Sequence, residues 1–319
     1  MRNLVKTAAV TGLVLLAAAC GSSGGSGSSG SSSGASQGSG ALPGKGKPTI
    51  ILGDKNFDEE YILGDIYAQA FRAKGYTVQL QSNIGGSELI NNVFQSGKIN
   101  AYPEYVGEIV STDAGNENPI ASEAETEKLA GAYESQHGAT FLTPVTPFYD
   151  TDELITLKSF ATAHHLSEVG DLKNAGPSLK LGDYSPELTR YAGYAGLKKA
   201  YGLTNLKFVP LASGSPIYNA VDDGQVQVGD AFSTDPQLLS GKYQVLKDTK
   251  NIFGFQHVGL VIKSSLLKQL GPQFQQTYAA VTKLLTTPVV QALNKAVALD
   301  QEDPNTVAKA FLQANHLVS

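Results

Sequence analysis

Residues 49–105 read TIILGDKNFDEEYILGDIYAQAFRAKGYTVQLQSNIGGSELINNVFQSGKINAYPEY. Thr49–Gly53 is a short apolar run ended by glycine, the pattern of a buried strand. From Glu59 to Lys74, apolar residues at 62, 63, 66, 67, 70 and 71 mark one face of a helix, and Gly75 ends it. Tyr76–Leu80 alternates as a strand. Gly85-Gly86-Ser87 opens a second helix that runs through Phe94 and closes near Gly97. Asn100-Ala101-Tyr102 starts a third strand. The order β-α-β-α-β predicts an α/β fold with a parallel sheet and crossover helices.

Outward from this unit the same grammar recurs. Glu153–Leu157, Leu179–Leu181, Leu206–Val209, Gln225–Val228 and Val258–Ile262 are strand-like. Thr162–Val169, Leu188–Tyr201 and Ile217–Gly224 are helix-like between them. Two long helical stretches follow at 265–286 and 288–314. The count predicts two α/β lobes with C-terminal helices, and there is no internal sequence repeat.

At 319 residues and 33.5 kDa the chain can bury a sizeable core, and 41% hydrophobic residues rule out a wholly disordered one. A formal charge of −5 argues against a nucleic-acid binder. One cysteine excludes an intramolecular disulfide and multi-thiolate zinc sites. The five histidines (137, 164, 165, 257 and 316) form no H-E-x-x-H pattern, and His164-His165 reads as a solvated pair. No metal or cofactor is expected.

Residues 1–20, MRNLVKTAAVTGLVLLAAAC, have a basic start at Arg2 and Lys6, an apolar run from Ala8 to Ala19, and Cys20. They read as a secretory signal too short to span a bilayer comfortably. The end resembles a bacterial lipoprotein lipobox, with Cys20 as the lipidated residue, although Ala17 stands where that motif prefers Leu. An ordinary signal peptide with a chance Cys is the alternative. Removal of Arg2 and Lys6 leaves 22 basic against 29 acidic residues, a charge of −7. Residues 21–46 read as a flexible tether: 18 of residues 21–40 are Gly or Ser, a coil with a reach of roughly 25 Å. The tract contains a G-x-S-x-G match at residues 21–25, but with no strand or helix to form a nucleophile elbow it carries nothing.

Polar and aromatic residues gather after strands. Tyr102-Pro103-Glu104-Tyr105 is read as following the third strand, and Asp230-Ala231-Phe232-Ser233-Thr234-Asp235 as following a strand of the second lobe. Open α/β sheets bind ligands beyond such ends, and aromatic faces attract cations.

In that order the motifs become a family pattern. Gly53-Asp54-Lys55-Asn56-Phe57-Asp58-Glu59-Glu60-Tyr61-Ile62-Leu63-Gly64 resembles the opening of the osmoprotectant-binding proteins of ABC importers for glycine betaine, choline and carnitine. The resemblance continues in Gly85-Gly86-Ser87, Tyr102–Gly107, Ser185-Pro186-Glu187 with Arg190, Gly193–Leu197 and Asp230–Asp235, and covers about residues 48–315.

The resemblance implies a two-lobed periplasmic-binding-protein-like fold (type II). Lobe 1 spans residues 48–147 plus 257–319, lobe 2 spans 148–256, and crossovers near Thr146–Phe148 and Phe255–His257 form the hinge. It implies that Lys55 and Arg190 hold a ligand carboxylate or a cross-lobe contact, and that Tyr105 belongs to an aromatic cage. Phe232 replaces a cage Tyr. Asn56, Tyr194 and Thr234 fall in the same ligand-binding motifs. Departures are visible: Asp152 and Gln256 stand where similar proteins have cage tyrosines, and Glu108 replaces a small hydroxyl residue. A cage with fewer rings and added carboxylate favours a cationic or hydrogen-bond-donating ligand.

The implied protein is a monomeric, membrane-tethered binding protein serving ABC permease subunits, not an enzyme. The alternatives are the same fold binding another small polar or cationic solute, a sensory lipoprotein, and a secreted enzyme, for which no nucleophile or acid–base set is placed.

Overall fold

The structure, a computed structural model, describes residues 41–116, 118 and 120–319. The leader with Cys20 and residues 21–40 of the tether lie outside the described residues. The chain runs β1 (Ile50–Gly53), α1 (Asp58–Ala73), β2 (Val78–Gln81), α2 (Ser87–Gln95), β3 (Ala101–Tyr105) and α3 (Val106–Glu108), the last continuing into a π-helical turn. Then come α4 (Glu123–Gln136), β4 (Ala139–Leu142), β5 (Asp152–Leu157), α5 (Lys158–His164), β6 (Leu179–Asp183), α6 (Tyr194–Tyr201), β7 (Leu206–Pro210), α7 (Ser215–Asp222), β8 (Val228–Phe232) and β9 (Tyr243–Leu246). It ends with β10 (Val258–Lys263), α8 (Ser264–Leu270), α9 (Pro272–Thr282), α10 (Thr287–Ala298) and α11 (Pro304–Ala314).

Among the described residues ten strands form two five-stranded sheets, ordered β2-β1-β3-β10-β4 and β7-β6-β8-β5-β9. The chain passes from the first sheet to the second between Leu142 and Asp152 and returns between Leu246 and Val258. Tyr149 and His257 bridge the two passages.

Neither sheet is purely parallel, which corrects the expectation from the first unit. β10 runs antiparallel to β3 and β4, and β5 antiparallel to β8 and β9. Each passage delivers a strand from the other lobe, so no crossover helix sets its direction. The ladder from β3 to β1 is confined to the pair Leu52–Ala101, and Pro103, which has no N–H to donate, follows just beyond it.

Helix α1 buries Ile62, Leu63, Ile66, Tyr67, Ala70 and Phe71, the stripe that its periodicity marks. This stripe packs on α9, where Phe71 stacks on Phe274 with centroids 4.3 Å apart and Tyr67 on Tyr278 at 5.5 Å. Burying each such ring is worth about 1.5–3 kcal/mol. Leu154, Leu181, Val228, Leu197 and Tyr201 belong to the core of lobe 2.

Several boundaries differ from the sequence reading. Tyr102–Tyr105 and Asp230–Phe232 lie within β3 and β8, not after a strand, because pairing with β10 and β5 overrides the weak strand preference of Pro and Asp. The stretch 265–286 breaks at Gly271, whose φ of +83° ends α8 before Pro272 starts α9. The stretch 288–314 breaks before Pro304. Helix α5 starts and ends earlier than read, stopped by His165 at φ 54°. Helix α6 begins only at Tyr194, after a 3₁₀ turn at Ser185–Leu188. Helix α4 and strands β4 and β9 were not marked by periodicity. Residues 41–46, assigned to the tether by composition, form a turn in which the buried Gly44 donates its N–H to Lys74 O at 2.9 Å. A Cβ on Gly44 would stand 2.2 Å from the Tyr76 nitrogen.

Candidate ligand-binding cleft

Lys55 leaves the end of β1 and is 3% exposed. Its Nζ is ion-paired with Glu104, hydrogen-bonds Ser87 Oγ at 3.1 Å and lies 4.4 Å from the Tyr105 ring centroid. Burial pulls the Lys55 pKa down, but the carboxylates of Glu104, Glu60 and Glu108 outweigh it and hold the pKa above the usual lysine value. The face of Tyr105 that a cage would offer to a ligand thus carries the protein's own ammonium. The Tyr105 hydroxyl donates to Glu59 Oε1 at 2.7 Å, and Phe57 stacks on the ring at 6.2 Å.

Arg190, on the loop before α6, gathers groups from both lobes. Nη1 donates to Glu187 Oε1 at 2.8 Å and to the Tyr184 hydroxyl at 2.9 Å. Nη2 donates to Glu88 Oε1 of α2 at 2.8 Å, and Nη1 lies 3.8 Å from Glu108 Oε2. Arg190 and Glu108 are therefore brought together, and both basic residues expected in the site are ion-paired within the chain.

Helix α10 supplies a second crossing. Asn294 Nδ2 donates to Glu59 Oε2 at 2.8 Å and to Thr234 O at 3.3 Å. Thr234 is buried, and its hydroxyl donates to Asp150 Oδ1 at 2.6 Å. The Asp150 N–H donates to Gln256 O at 3.0 Å. Gln256 is buried with Oε1 unpartnered and lies against Gly107, where a Cβ would come within 2.6 Å of that oxygen. A larger residue at 107 would displace the Gln256 side chain.

Strand register places Asp152 directly opposite Phe232, and Phe232 is half-buried. Gly182 pairs in register with Gly229, so Asp183 and Asp230 follow side by side on β6 and β8. Residues two apart share a face, so Asp230, Phe232 and Asp152 look the same way as Asp183. All three aspartates are buried, at 9%, 2% and 3% exposed for Asp152, Asp183 and Asp230. Burial raises their pKa values, and neighbouring carboxylates add to the rise. Asp183 reaches about 8, with Glu187 contributing, while Asp152 and Asp230 stand well above the usual range. Glu108 of lobe 1 is among the charges that act on Asp152.

Tyr194 makes its contacts within lobe 2, and Asn56 directly follows Lys55. Tyr194 donates its hydroxyl to Leu206 O at 2.8 Å and sets its ring edge-on to Phe208, within lobe 2. Asn56 is exposed. Sequence reasoning passed over Glu59, Glu88, Glu104, Asp150, Asp183 and Asn294 as site residues. A signal for two of the aspartates existed: Leu181-Gly182-Asp183 and Val228-Gly229-Asp230 repeat one apolar-Gly-Asp pattern on neighbouring strands. Nothing in the pattern of α10 singles out Asn294.

Comparison with known proteins follows the same lines. A family model described as the substrate-binding domain of ABC-type glycine betaine transport systems matches residues 48–314. The chain is 29% identical over 281 residues to a glycine-betaine-binding protein of Pseudomonas aeruginosa, covering 85% of this chain and 89% of the relative. It is 24% identical to the carnitine transport binding protein OpuCC of Listeria monocytogenes, covering 86% of this chain and 91% of the relative. Among solved structures, that of a glycine betaine/carnitine/choline ABC transporter protein matches with a TM-score of 0.71 at 24% identity, covering 84% of this chain and 99% of the other. The fold is that of these two-lobed type II binding proteins.

Proposed function

Because the chain belongs to the family of substrate-binding domains of ABC-type glycine betaine transport systems, we propose that it captures a small cationic amine between its two lobes outside the cytoplasm and delivers it to an ABC permease. The observation that carries the reading is the charge of the junction. Asp150, Asp152, Asp183 and Asp230 are buried there beside Glu108 and Glu187, while Lys55 and Arg190 are already ion-paired. A cation stabilises such a site, and a free carboxylate finds no unpaired basic partner among these residues. The amine-binding names of the relatives support the class. Quaternary amines such as glycine betaine, choline and carnitine form the first set to test, with Phe57 and Phe232 as the accessible rings.

In this reading Cys20 carries the lipid that holds a monomer at the membrane, and the Gly/Ser tract is its leash.

The experiment is a thermal-shift and calorimetric screen over glycine betaine, choline, carnitine, ergothioneine, non-methylated amines and neutral solutes. A bound amine raises stability by about 2.7 kcal/mol at a hundredfold excess over Kd. Stabilisation by neutral solutes alone, with no amine bound, overturns the reading.

A further inference from the structure

Resting on the reading that the cleft takes an amine, the chemistry of its walls narrows which kind. Three neighbouring strands of lobe 2 present Asp183, Asp230 and Asp152 on one face, and Arg190, paired with Glu187, ties that end of the sheet to Glu88 and Glu108 of lobe 1. Among the described residues the only guanidinium at this end is Arg190, whose terminal nitrogens are bound to Glu187, Tyr184 and Glu88. Asp230 is 3% exposed, and its Oδ2 has no hydrogen-bond partner. Asp183 Oδ1 accepts the Tyr184 N–H at 2.7 Å, so the oxygen of this group that is buried without a donor is Asp230 Oδ2. Among the described residues no group of three acidic, His or Cys side chains is arranged to hold a metal ion.

We propose that Asp152, Asp183 and Asp230 form the subsite for the ligand's cationic head, and that this head carries N–H donors: a protonated primary or secondary amine, or a guanidinium. A quaternary ammonium matches the charge but has no N–H, so its methyl groups would leave the buried Asp230 Oδ2 without a hydrogen bond. An N–H cation satisfies charge and acceptors together through charge-assisted hydrogen bonds. In the unliganded protein, mutual repulsion and burial favour protonated aspartates; when an N–H cation binds, those protons leave to solvent and its N–H groups donate to the carboxylates in their place.

The test is calorimetry on the protein with a series differing only in methylation, from ethanolamine through its N-methyl and N,N-dimethyl forms to choline, with agmatine as the guanidinium probe. Affinity is expected to fall at least tenfold from the best N–H cation to choline. Asp152→Asn and Asp230→Asn are expected to weaken that N–H cation at least tenfold without lowering the melting temperature of the unliganded protein, since each replaces a buried carboxyl already favoured in its neutral form by a neutral amide. Choline binding as tightly as every N–H probe overturns the inference and leaves the amine reading intact. Both variants within twofold of the unchanged protein also overturn it. Failure of every amine, methylated or not, removes both readings together.

Discussion

Arg190 of lobe 2 reaches lobe 1 through Glu88, Nη2 to Oε1 at 2.8 Å, while its other terminal nitrogen is held by Glu187 and Tyr184 of its own lobe. One guanidinium thus links the two lobes and offsets part of the acidic charge of Glu88, Glu108 and Glu187. The two tasks separate by burial: Glu88 is 59% exposed and Glu187 only 3%. Glu88→Gln is expected to change stability by no more than about 1 kcal/mol, the scale of an exposed pair, while opening the unliganded protein. Arg190→Ala, which strands Glu187, is expected to cost roughly 2–4 kcal/mol, with only partial recovery in Arg190→Lys. Chemical denaturation measures the first quantity and small-angle scattering the opening. Equal costs for Glu88→Gln and Arg190→Ala would contradict this division.

The buried pair Lys55–Glu104 predicts a strongly non-additive cycle. Both partners are almost fully buried, at 3% and 0% exposed. Lys55→Met leaves the Glu104 carboxylate alone in the interior and is expected to cost about 3–5 kcal/mol. The double variant Lys55→Met, Glu104→Leu is expected to recover most of that loss. Additive losses in urea denaturation would show that the pair is not coupled.

Asn294 joins Glu59 of lobe 1 to Thr234 of lobe 2 through one amide nitrogen. Asn294→Ala is expected to lose about 1–3 kcal/mol, because a buried carboxylate oxygen and a carbonyl lose their donor. Asn294→Asp keeps the shape but faces Glu59 with another carboxylate, so it is expected to be worse at pH 8 than Asn294→Ala and to recover at pH 5. Thermal denaturation at the two pH values decides the order.

Lobe 1 also buries Glu134, fully enclosed and with both carboxylate oxygens unpartnered. Burial raises its pKa from 4.5 to about 7, and Glu104 adds to the rise. A carboxyl whose folded pKa is raised contributes stability that is fully present below pH 4.5 and is lost as pH climbs through about 7. Glu134→Gln removes this loss. It is expected to match the unchanged protein near pH 4.5 and to exceed it by roughly 2–4 kcal/mol at pH 8. A constant difference across that range would refute the assignment.

For the N-terminal segment, Cys20→Ala is expected to leave the body folded and to move the protein from the membrane fraction to the soluble one. Unchanged membrane association of the variant would exclude lipidation at Cys20.

The apolar spacing of residues 49–105 already carried the first strand–helix–strand unit, because a stripe of Ile62, Ile66 and Phe71 on one helix face is stable only when buried against the rest of the lobe. Glycines and prolines marked most turns, and the ordered motifs carried the family. Strand direction was not legible: β5 and β10 look like any apolar strand, and only the return of the chain between the sheets turned them antiparallel. Lys55 and Arg190 were legible as chemistry but not in their partners, since Glu104 lies 49 residues from Lys55 and Glu88 lies 102 from Arg190. The aspartate group is the clearest case. Asp152, Asp183 and Asp230 are far apart in the chain; Asp152 and Asp183 alone are ordinary polar strand ends, and Asp230 sits in the middle of β8. Sequence determines which face of a strand a side chain takes, because that period is local. Which strands become neighbours depends on packing across the whole lobe, and it is that adjacency which sets three carboxylates on one face of the lobe 2 sheet.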